Sequence, residues 1–181
     1  IAVGGNSGCT LCADNVGYKL TDGNGQACIT CDNATGCGGA SAGTCDAGYG
    51  RLSSNTVNPC IACATGTFKT AADNNACTDV QPGYCGAVSM GGACHGSSTA
   101  AEGETICIAG KYSAGTTGDC TPSSVGFCSS VGGVCRDSGT GSTGETQCLG
   151  GEYSPGDHGT CEICANSDWS APGVASCETC D

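Results

Sequence analysis

Apolar residues occur in this sequence at isolated positions that keep a fixed relation to the cysteines. A cysteine is followed four to six positions later by an aromatic residue, then by a polar stretch rich in Gly and Asn, and then by a second cysteine. No segment shows the sustained 3.6-residue apolar period of a helix, and Gly is too frequent for long helices. The pattern predicts short β-hairpins, each with an aromatic residue on one strand and a turn at Gly, Asn or Asp.

Six segments carry this unit of cysteine, aromatic residue and cysteine. They are Cys12–Cys28 with Tyr18, Cys45–Cys60 with Tyr49, Cys63–Cys77 with Phe68, Cys107–Cys120 with Tyr112, Cys148–Cys161 with Tyr153, and Cys164–Cys177 with Trp169. An isolated hairpin is marginal in water, whereas a disulfide that closes about 15 residues contributes roughly 3 kcal/mol. We therefore expect disulfides to stabilise the hairpins and each aromatic ring to cover the sulfurs, with sugar stacking as an alternative role for the rings.

A longer repeat is superimposed on these units. Residues 77–120 read C-x7-C-x8-C-x12-C-x12-C, and residues 120–161 read C-x7-C-x6-C-x12-C-x12-C. The Gly-Glu-Thr at 103–105 returns at 144–146. The predicted units are hairpin modules at 1–76, two copies of the repeat at 77–119 and 120–160, and a terminal CxxC module at 161–181. Because small modules contact mainly their neighbours, we expect a small disulfide-rich fold: an elongated tandem array of short β-hairpin modules with little helix.

Composition shows that these modules cannot share a large apolar core. Leu, Ile, Val and Phe together make up about 12% of the 181 residues, below the roughly 20% at which a charged chain is usually disordered. The 20 cysteines exceed the level that marks a disulfide scaffold. Cross-links therefore replace burial, which is typical of a secreted, extracellular or cell-surface protein.

Two pairing schemes are open for the cysteines. In the hairpin scheme each of the six segments is closed by its own two cysteines, further pairs are Cys31–Cys37, Cys85–Cys94 and Cys128–Cys135, and Cys9 and Cys180 remain. Those two cysteines would bond another module or a second molecule, within a longer tandem chain or a head-to-tail fibre. In the tetrad scheme, five consecutive sets of four cysteines pair first to third and second to fourth, and none is left over.

The charge of the chain argues against several partners. Five Lys and Arg against 17 Asp and Glu give a net charge of −12, so nucleic acid and anionic membrane surfaces are poor partners. No apolar run is long enough to span a membrane. The carboxylates are scattered over the loops, where a solvated surface is the main interpretation and weak calcium binding the alternative. His95 and His158 lack a surrounding motif, and we expect neither catalysis nor a cofactor.

Two short motifs remain. The sequon Asn33-Ala34-Thr35 predicts N-glycosylation at Asn33. The spacing Cys9-x2-Cys12-x15-Cys28-x2-Cys31 matches a zinc ribbon, and Cys161, Cys164, Cys177 and Cys180 come close to it. Because these cysteines belong to a repeat that runs along the whole chain, we favour disulfides and keep a zinc-binding CxxC protein as an alternative.

The segments Cys60-Ile-Ala-Cys63-Ala-Thr-Gly-Thr-Phe-Lys-Thr and Cys161-Glu-Ile-Cys164 resemble the cysteine-rich surface antigens of protists. The ciliate immobilisation antigens are the most similar and the variant-specific surface proteins of diplomonads come next. This resemblance implies a glycosylated, secreted or lipid-anchored coat protein without catalysis, whose partners are neighbouring copies in a coat or filament. Since the sequence stops at Asp181 without a hydrophobic anchor signal, we expect a processed or secreted form.

Cys107–Cys120 and Cys148–Cys161 also resemble the last hairpin of EGF-like modules and the first module of TNF-receptor repeats. That similarity implies a binding or adhesion module as the alternative to a structural protein.

Overall fold

The computed structural model describes residues 19–21, 26–28, 33–38, 41–51, 60–96, 99–136 and 141–180. These residues contain no helix, and nineteen strands of two to five residues form nine small sheets. Eight of the sheets have two strands and one has three, and all strand pairs within them are antiparallel. The predicted disulfide-rich array of β-hairpins with little helix is confirmed.

The strands follow one another at short intervals along the chain. In order they are β1 Lys19–Thr21, β2 Gln26–Cys28, β3 Ala34–Gly38, β4 Ser41–Cys45, β5 Tyr49–Gly50, β6 Ile61–Ala62, β7 Thr67–Phe68, β8 Thr78–Asp79, β9 Tyr84–Ala87, β10 Gly103–Ile106, β11 Lys111–Tyr112, β12 Thr121–Pro122, β13 Phe127–Val131, β14 Val134–Cys135, β15 Gly144–Gln147, β16 Glu152–Tyr153, β17 Glu162–Ile163, β18 Asp168–Trp169 and β19 Glu178–Thr179. Successive strands pair as hairpins, except that β13 pairs with both β14 and β15. The fold is therefore a series of local hairpins.

A β-turn with a left-handed third residue precedes each of the seven hairpins from β5–β6 to β18–β19. Its fourth residue donates a backbone hydrogen bond to its first, as Thr67 does to Ala64 at 2.9 Å. Glycine fills the third position six times, with φ between 78° and 85°, and Ser167 fills it once, with φ 83°. We call the six the turn glycines: Gly48, Gly66, Gly83, Gly110, Gly126 and Gly151. Glycine recurs because a Cβ makes this conformation costly.

Most turn glycines lie against a hairpin two places further along the chain. In each such stacking contact, a Cβ built on the glycine would lie 2.0–2.5 Å from a backbone carbonyl oxygen, so the two backbones touch directly. The carbonyl belongs to a residue that also has a positive φ, between 54° and 77°. The five stacking contacts are Gly48 with Ala100, Gly66 with Thr116, Gly83 with Gly141, Gly110 with Asp157, and Gly126 with Gly173.

Adjacent hairpins are joined by backbone hydrogen bonds as well. The Gly83 N–H donates to the carbonyl of Ser113 at 2.8 Å, and the Ser113 N–H donates to the carbonyl of Ser142 at 3.0 Å. The same type of bond links Gly126 to Ser154 at 2.8 Å. The hairpins that carry the five stacking contacts therefore touch the hairpin two places further along, and backbone hydrogen bonds join adjacent hairpins, as in a tandem array.

Sulfur and small side chains fill the centres of the hairpins. Eight of the eleven buried apolar residues in the described part of the chain are cysteines, and Val80 is the largest of the others. The aromatic rings whose exposure is described are partly exposed, and that of Trp169 is 49% exposed. The buried centre of a hairpin is therefore its disulfide rather than its aromatic ring.

Candidate functional site

Seven consecutive hairpin units in the described part of the chain each contain one disulfide. The Cα–Cα distances of these disulfides are 5.4–5.7 Å, within the range that a disulfide needs. The pairs are Cys45–Cys60, Cys63–Cys77, Cys85–Cys94, Cys107–Cys120, Cys128–Cys135, Cys148–Cys161 and Cys164–Cys177.

These seven bonds are pairs of the hairpin scheme. The tetrad scheme would instead join Cys85 to Cys107, but their partners in the structure are Cys94 and Cys120. The predicted pairs Cys12–Cys28 and Cys31–Cys37, together with Cys9 and the ring of Tyr18, lie outside the side chains that the structure describes. All seven bonds are local, with sequence separations of 7 to 15.

Two disulfides lie side by side in each copy of the long repeat. The Sγ atoms of Cys94 and Cys120 are 3.9 Å apart, and so are those of Cys135 and Cys161. The Cys85 sulfur joins the first group within 4.8 Å. A metal is held by thiolates, whereas these sulfurs are bonded in pairs, so the clusters serve as packing centres.

A zinc site at Cys161, Cys164, Cys177 and Cys180 likewise conflicts with the disulfides. Cys161 is bonded to Cys148 and Cys164 to Cys177, so three of its four sulfurs are held in disulfides. Cys180 is a free, exposed cysteine. The other proposed set lies outside the described side chains: Cys9, Cys12, Cys28 and Cys31.

Cys180 occupies a backbone position that, in other hairpins, holds the first cysteine of a disulfide. Its N–H donates to the carbonyl of Ser167 at 3.1 Å. In the same way, the N–H of Cys164 donates to the carbonyl of the turn glycine Gly151 at 2.9 Å. The two cysteines are therefore equivalent in the repeat, although Cys164 is bonded and Cys180 is not.

Lys69 forms a polar centre that the sequence did not reveal. Its Nζ donates to the carbonyls of Cys45 at 3.3 Å, Tyr49 at 2.8 Å and Asp73 at 2.5 Å, and lies 3.2 Å from the Asp73 carboxylate. Lys69 is 6% exposed. The Asn75 backbone N–H, together with Lys69, lowers the pKa of Asp73. A lysine directly after the aromatic residue of β7, at the position where the β11–β12, β16–β17 and β18–β19 hairpins carry serine, was the available signal.

The glutamates of the two Gly-Glu-Thr segments accept hydrogen bonds from residues of the β-turns. Glu104 accepts hydrogen bonds from the N–H and the Nε2 of Gln81 at 3.2 and 3.1 Å. Glu145 accepts them from the N–H and the Oγ of Ser124 at 2.7 and 3.1 Å. Both acceptors hold the β-turn before an aromatic strand. These carboxylates are therefore bound to donors of their own chain, which gives them a structural role in place of the calcium alternative.

The surroundings of His158 give no nucleophile activated by a ring nitrogen. The Ser123 hydroxyl donates to the His158 carbonyl at 3.1 Å and accepts from its N–H at 3.1 Å, so it binds backbone rather than imidazole. The His158 Nδ1 lies 3.6 Å from Glu162, whose other oxygen accepts the Tyr153 hydroxyl at 2.5 Å. That hydrogen bond raises the pKa of Tyr153. The group forms a polar contact within one hairpin.

The glycosylation motif lies at the surface. Asn33 and Thr35 are exposed, and Asn33 has a φ of 58°. The Thr35 hydroxyl donates to the Asp46 carboxylate at 2.8 Å.

The predicted hairpin aromatics lie on the first strands of separate hairpins: Tyr49 in β5, Phe68 in β7, Tyr112 in β11, Tyr153 in β16 and Trp169 in β18. The strand order places each ring in a different sheet.

Within the described residues, no helix has the length and apolarity required to cross a membrane. Comparison with models of known protein families gives no match, and comparison with curated proteins gives no similar chain. The structural class itself, a cysteine-rich chain of disulfide-bonded small β-hairpins, fits that of the cysteine-rich surface antigens.

Proposed function

We propose that this chain is a structural protein of the cell exterior, a surface coat or antigen without catalytic activity. The observation that supports this proposal is the series of seven disulfides, one in each of seven consecutive hairpin units. Disulfides at this density persist in oxidising compartments. A chain whose hairpins have disulfides at their buried centres loses that stabilisation when the disulfides are reduced. An exterior location is therefore the one in which this fold is stable.

The proposed mechanism is mechanical. A protease needs to open a segment of backbone, and each disulfide here limits the opening to a loop whose two cysteines are separated by 7 to 15 positions in the sequence. The net charge of −12 disfavours nonspecific association. Loops between the cysteines can change without altering the scaffold, which suits an exposed antigen.

Labelling of intact cells that produce the protein tests this function. A membrane-impermeant amine reagent should label the chain before lysis, and alkylation under denaturing conditions should find almost all its cysteines blocked as disulfides. Protease resistance should be high before reduction and lost after it. An intracellular pool with free thiols would contradict the proposal.

We also propose that Asn33 carries an N-linked glycan. Its sequon and its exposure support this assignment. Treatment of the native protein with an endoglycosidase should increase its electrophoretic mobility, and Asn33→Gln should abolish that change. An unmodified Asn33 in the peptide mass spectrum of native material would contradict it.

A binding or adhesion module is the second candidate, and one surface feature favours it. A cleft of about 310 Å³ is lined by Thr105, Ile106, Ile108, Lys111 and Asp119 among others. Ile106 and Ile108 are 38% and 62% exposed. Such exposed apolar residues suit a protein partner. Capture of one saturable partner, lost in an Ile108→Ser variant, would favour this candidate over the structural one.

A further inference from the structure

The two neighbouring disulfides in the first copy of the long repeat each join a fully buried cysteine to a cysteine that lines a cleft. Cys85 and Cys107 are 0% exposed. Their partners, Cys94 and Cys120, line the cleft of about 310 Å³ described above. Cys94 is partly exposed, and Cys120 is 5% exposed. A reagent that enters the cleft therefore meets Cys94 before it can meet Cys85.

The two sulfurs on the cleft side belong to different disulfides and lie against each other. The Sγ atoms of Cys94 and Cys120 are 3.9 Å apart, and the Cys85 Sγ lies within 4.8 Å of both. Because a disulfide bond is about 2 Å long, a thiolate at Cys94 would have to move only about 2 Å to bond Cys120. Disulfides exchange by attack of a thiolate on a disulfide sulfur. Opening of Cys85–Cys94 therefore places a nucleophile beside the second disulfide.

A lysine lines the same cleft. Lys111 is half-exposed in β11 and brings a positive charge to the cleft, whereas the carboxylate of Asp119 accepts the Cys120 N–H at 2.8 Å. A nearby ammonium group favours a thiolate over a thiol and attracts an anionic reagent. Since the chain as a whole carries a net charge of −12, this local positive charge favours attack of a thiolate here.

The second copy of the repeat has the same arrangement of sulfurs without the lysine. The Sγ atoms of Cys135 and Cys161 are also 3.9 Å apart, and they also belong to different disulfides. Glu152 occupies the position that corresponds to Lys111. The two copies therefore present alike sulfur contacts that differ in the charge beside them.

We propose that the cleft beside Cys94 is a site of thiol–disulfide exchange with a low-molecular-weight thiol, where opening of one disulfide leads to rearrangement of the second. In the first step the thiolate attacks the Cys94 sulfur and forms a mixed disulfide. The electron pair of the Cys85–Cys94 bond goes to the Cys85 sulfur, which takes up a proton. A second thiolate attacks the mixed disulfide, so that the small thiol leaves as its own disulfide and Cys94 is released as a thiolate.

The Cys94 thiolate then attacks the Cys120 sulfur. The Cys94–Cys120 bond forms, the Cys107–Cys120 bond breaks, and its electron pair goes to Cys107, which takes up a proton. In sum, two small thiols are oxidised to one disulfide, while two protein disulfides become one Cys94–Cys120 bond and the thiols of Cys85 and Cys107. The new bond joins two hairpin units that each contained their own disulfide before.

The test exposes the oxidised 181-residue chain to an excess of 2-mercaptoethanesulfonate, an anionic thiol, without denaturant. Samples are quenched in acid at intervals, alkylated and digested, and mass spectrometry gives the state of each cysteine. Cys85 and Cys107 should become alkylated first, together with the appearance of peptides linked through Cys94–Cys120. Alkylation of Cys85 and Cys94 without any such linked peptides would overturn the inference.

The natural difference between the two copies supplies a comparison within one molecule. Cys85–Cys94 should open faster than Cys128–Cys135 in the original chain. Lys111→Met should slow the opening of Cys85–Cys94 roughly threefold, the size of one surface charge interaction, and Lys111→Arg should retain the original rate. Neither variant should change the opening of Cys128–Cys135. A slower reaction cannot come from partial unfolding, since unfolding exposes disulfides and accelerates their reduction.

A second thiol tests the charge directly. The thiolate of 2-mercaptoethanol carries one negative charge and that of 2-mercaptoethanesulfonate carries two, so Lys111→Met should slow the reaction with 2-mercaptoethanol less. Equal opening rates of Cys85–Cys94 and Cys128–Cys135 in the original chain would overturn the proposed site. Equal slowing of both disulfides in the Lys111→Met variant would overturn it as well.

Discussion

Lys69 connects several strands of this protein through polar contacts where apolar packing is scarce. Its ammonium group lies among three carbonyl oxygens and the Asp73 carboxylate, and so ties β7–β8 to the end of β4 and to β5. A buried lysine is tolerated because its donors are satisfied. The same carbonyls would be left without a donor if the charge were removed.

Lys69→Met therefore should destabilise the protein by about 1–3 kcal/mol, the usual effect of leaving buried polar groups unpaired. Guanidinium unfolding with the disulfides intact measures the change. Lys111→Met is the matched control, because Lys111 is half-exposed in β11 and should lose little. Equal stability of the Lys69 variant and the original chain would contradict this account.

Asp73 gives the stability a pH dependence. The Asn75 N–H and the Lys69 ammonium lower its folded pKa below the ordinary value of 3.8. A lowered folded pKa adds stability above the unfolded pKa, and that stability is lost as the pH falls through the folded pKa. Melting temperatures from pH 7 to pH 2 should therefore drop less steeply for Asp73→Asn than for the original chain. Asp79→Asn, a change at an exposed aspartate of β8, is the matched control.

Ser142 is a buried residue whose hydroxyl has no hydrogen-bond partner among the described residues. Ala101 holds the corresponding position in the preceding copy, where it is 4% exposed. Ser142→Ala should therefore be neutral or stabilise the protein by up to about 1 kcal/mol. Ser129→Ala is the contrasting variant, because its Oγ accepts the Gly110 N–H at 3.2 Å, and it should lose about 1 kcal/mol. Thermal unfolding distinguishes the two, and a clear loss for Ser142→Ala would contradict the prediction.

At the scale of the hairpin, the stacking contact is the feature with the strongest steric requirement. A Cβ at Gly66 would lie 2.0 Å from the Thr116 carbonyl oxygen, and φ there is 82°. Gly66→Ala should therefore cost the αL strain of about 1 kcal/mol plus the energy of displacing the neighbouring hairpin. Gly133→Ala carries the strain alone and isolates the second contribution. Urea unfolding should show a larger loss for Gly66→Ala; equal losses would show that stacking contributes nothing.

The hairpins themselves were predictable from local pattern, whereas the stacking between them was not. The cysteine and aromatic spacing places Tyr112 in one strand of a hairpin and Cys120 directly before the other, with no reference to the rest of the chain. The contact of Gly66 with Thr116 joins two backbones, and the residue type of the partner differs from one stacking contact to the next, so no hydrophobic pattern predicts it. A glycine one or two positions before every aromatic residue except Trp169 was visible in the sequence, but its stacking role required the three-dimensional arrangement.

For the whole molecule, stability should depend on where a hairpin lies in the array. Cys107–Cys120 and Cys164–Cys177 both close loops of sequence separation 13, so the chain-entropy contribution of each is equal, about 3 kcal/mol. Cys107 is buried in a cluster with Cys85 and Cys120, whereas Cys164 and Cys177 are only partly buried. Replacing both cysteines of the first pair by Ala should therefore cost more than replacing both of the second. Calorimetry checks this order, and the reverse order would contradict the array model of stability.

The sequence by itself determined the local structure of this protein: hairpins where a cysteine, an aromatic residue and a glycine-rich turn recur, and a fold held by cross-links. These features depend on residues within about 15 positions of one another, so spacing carries the information. Only the tertiary structure decided how the hairpins meet. It placed the Lys69 ammonium among three carbonyls and the Thr116 carbonyl against Gly66. Both are contacts with backbone atoms, which every residue possesses, and the sequence therefore cannot single them out.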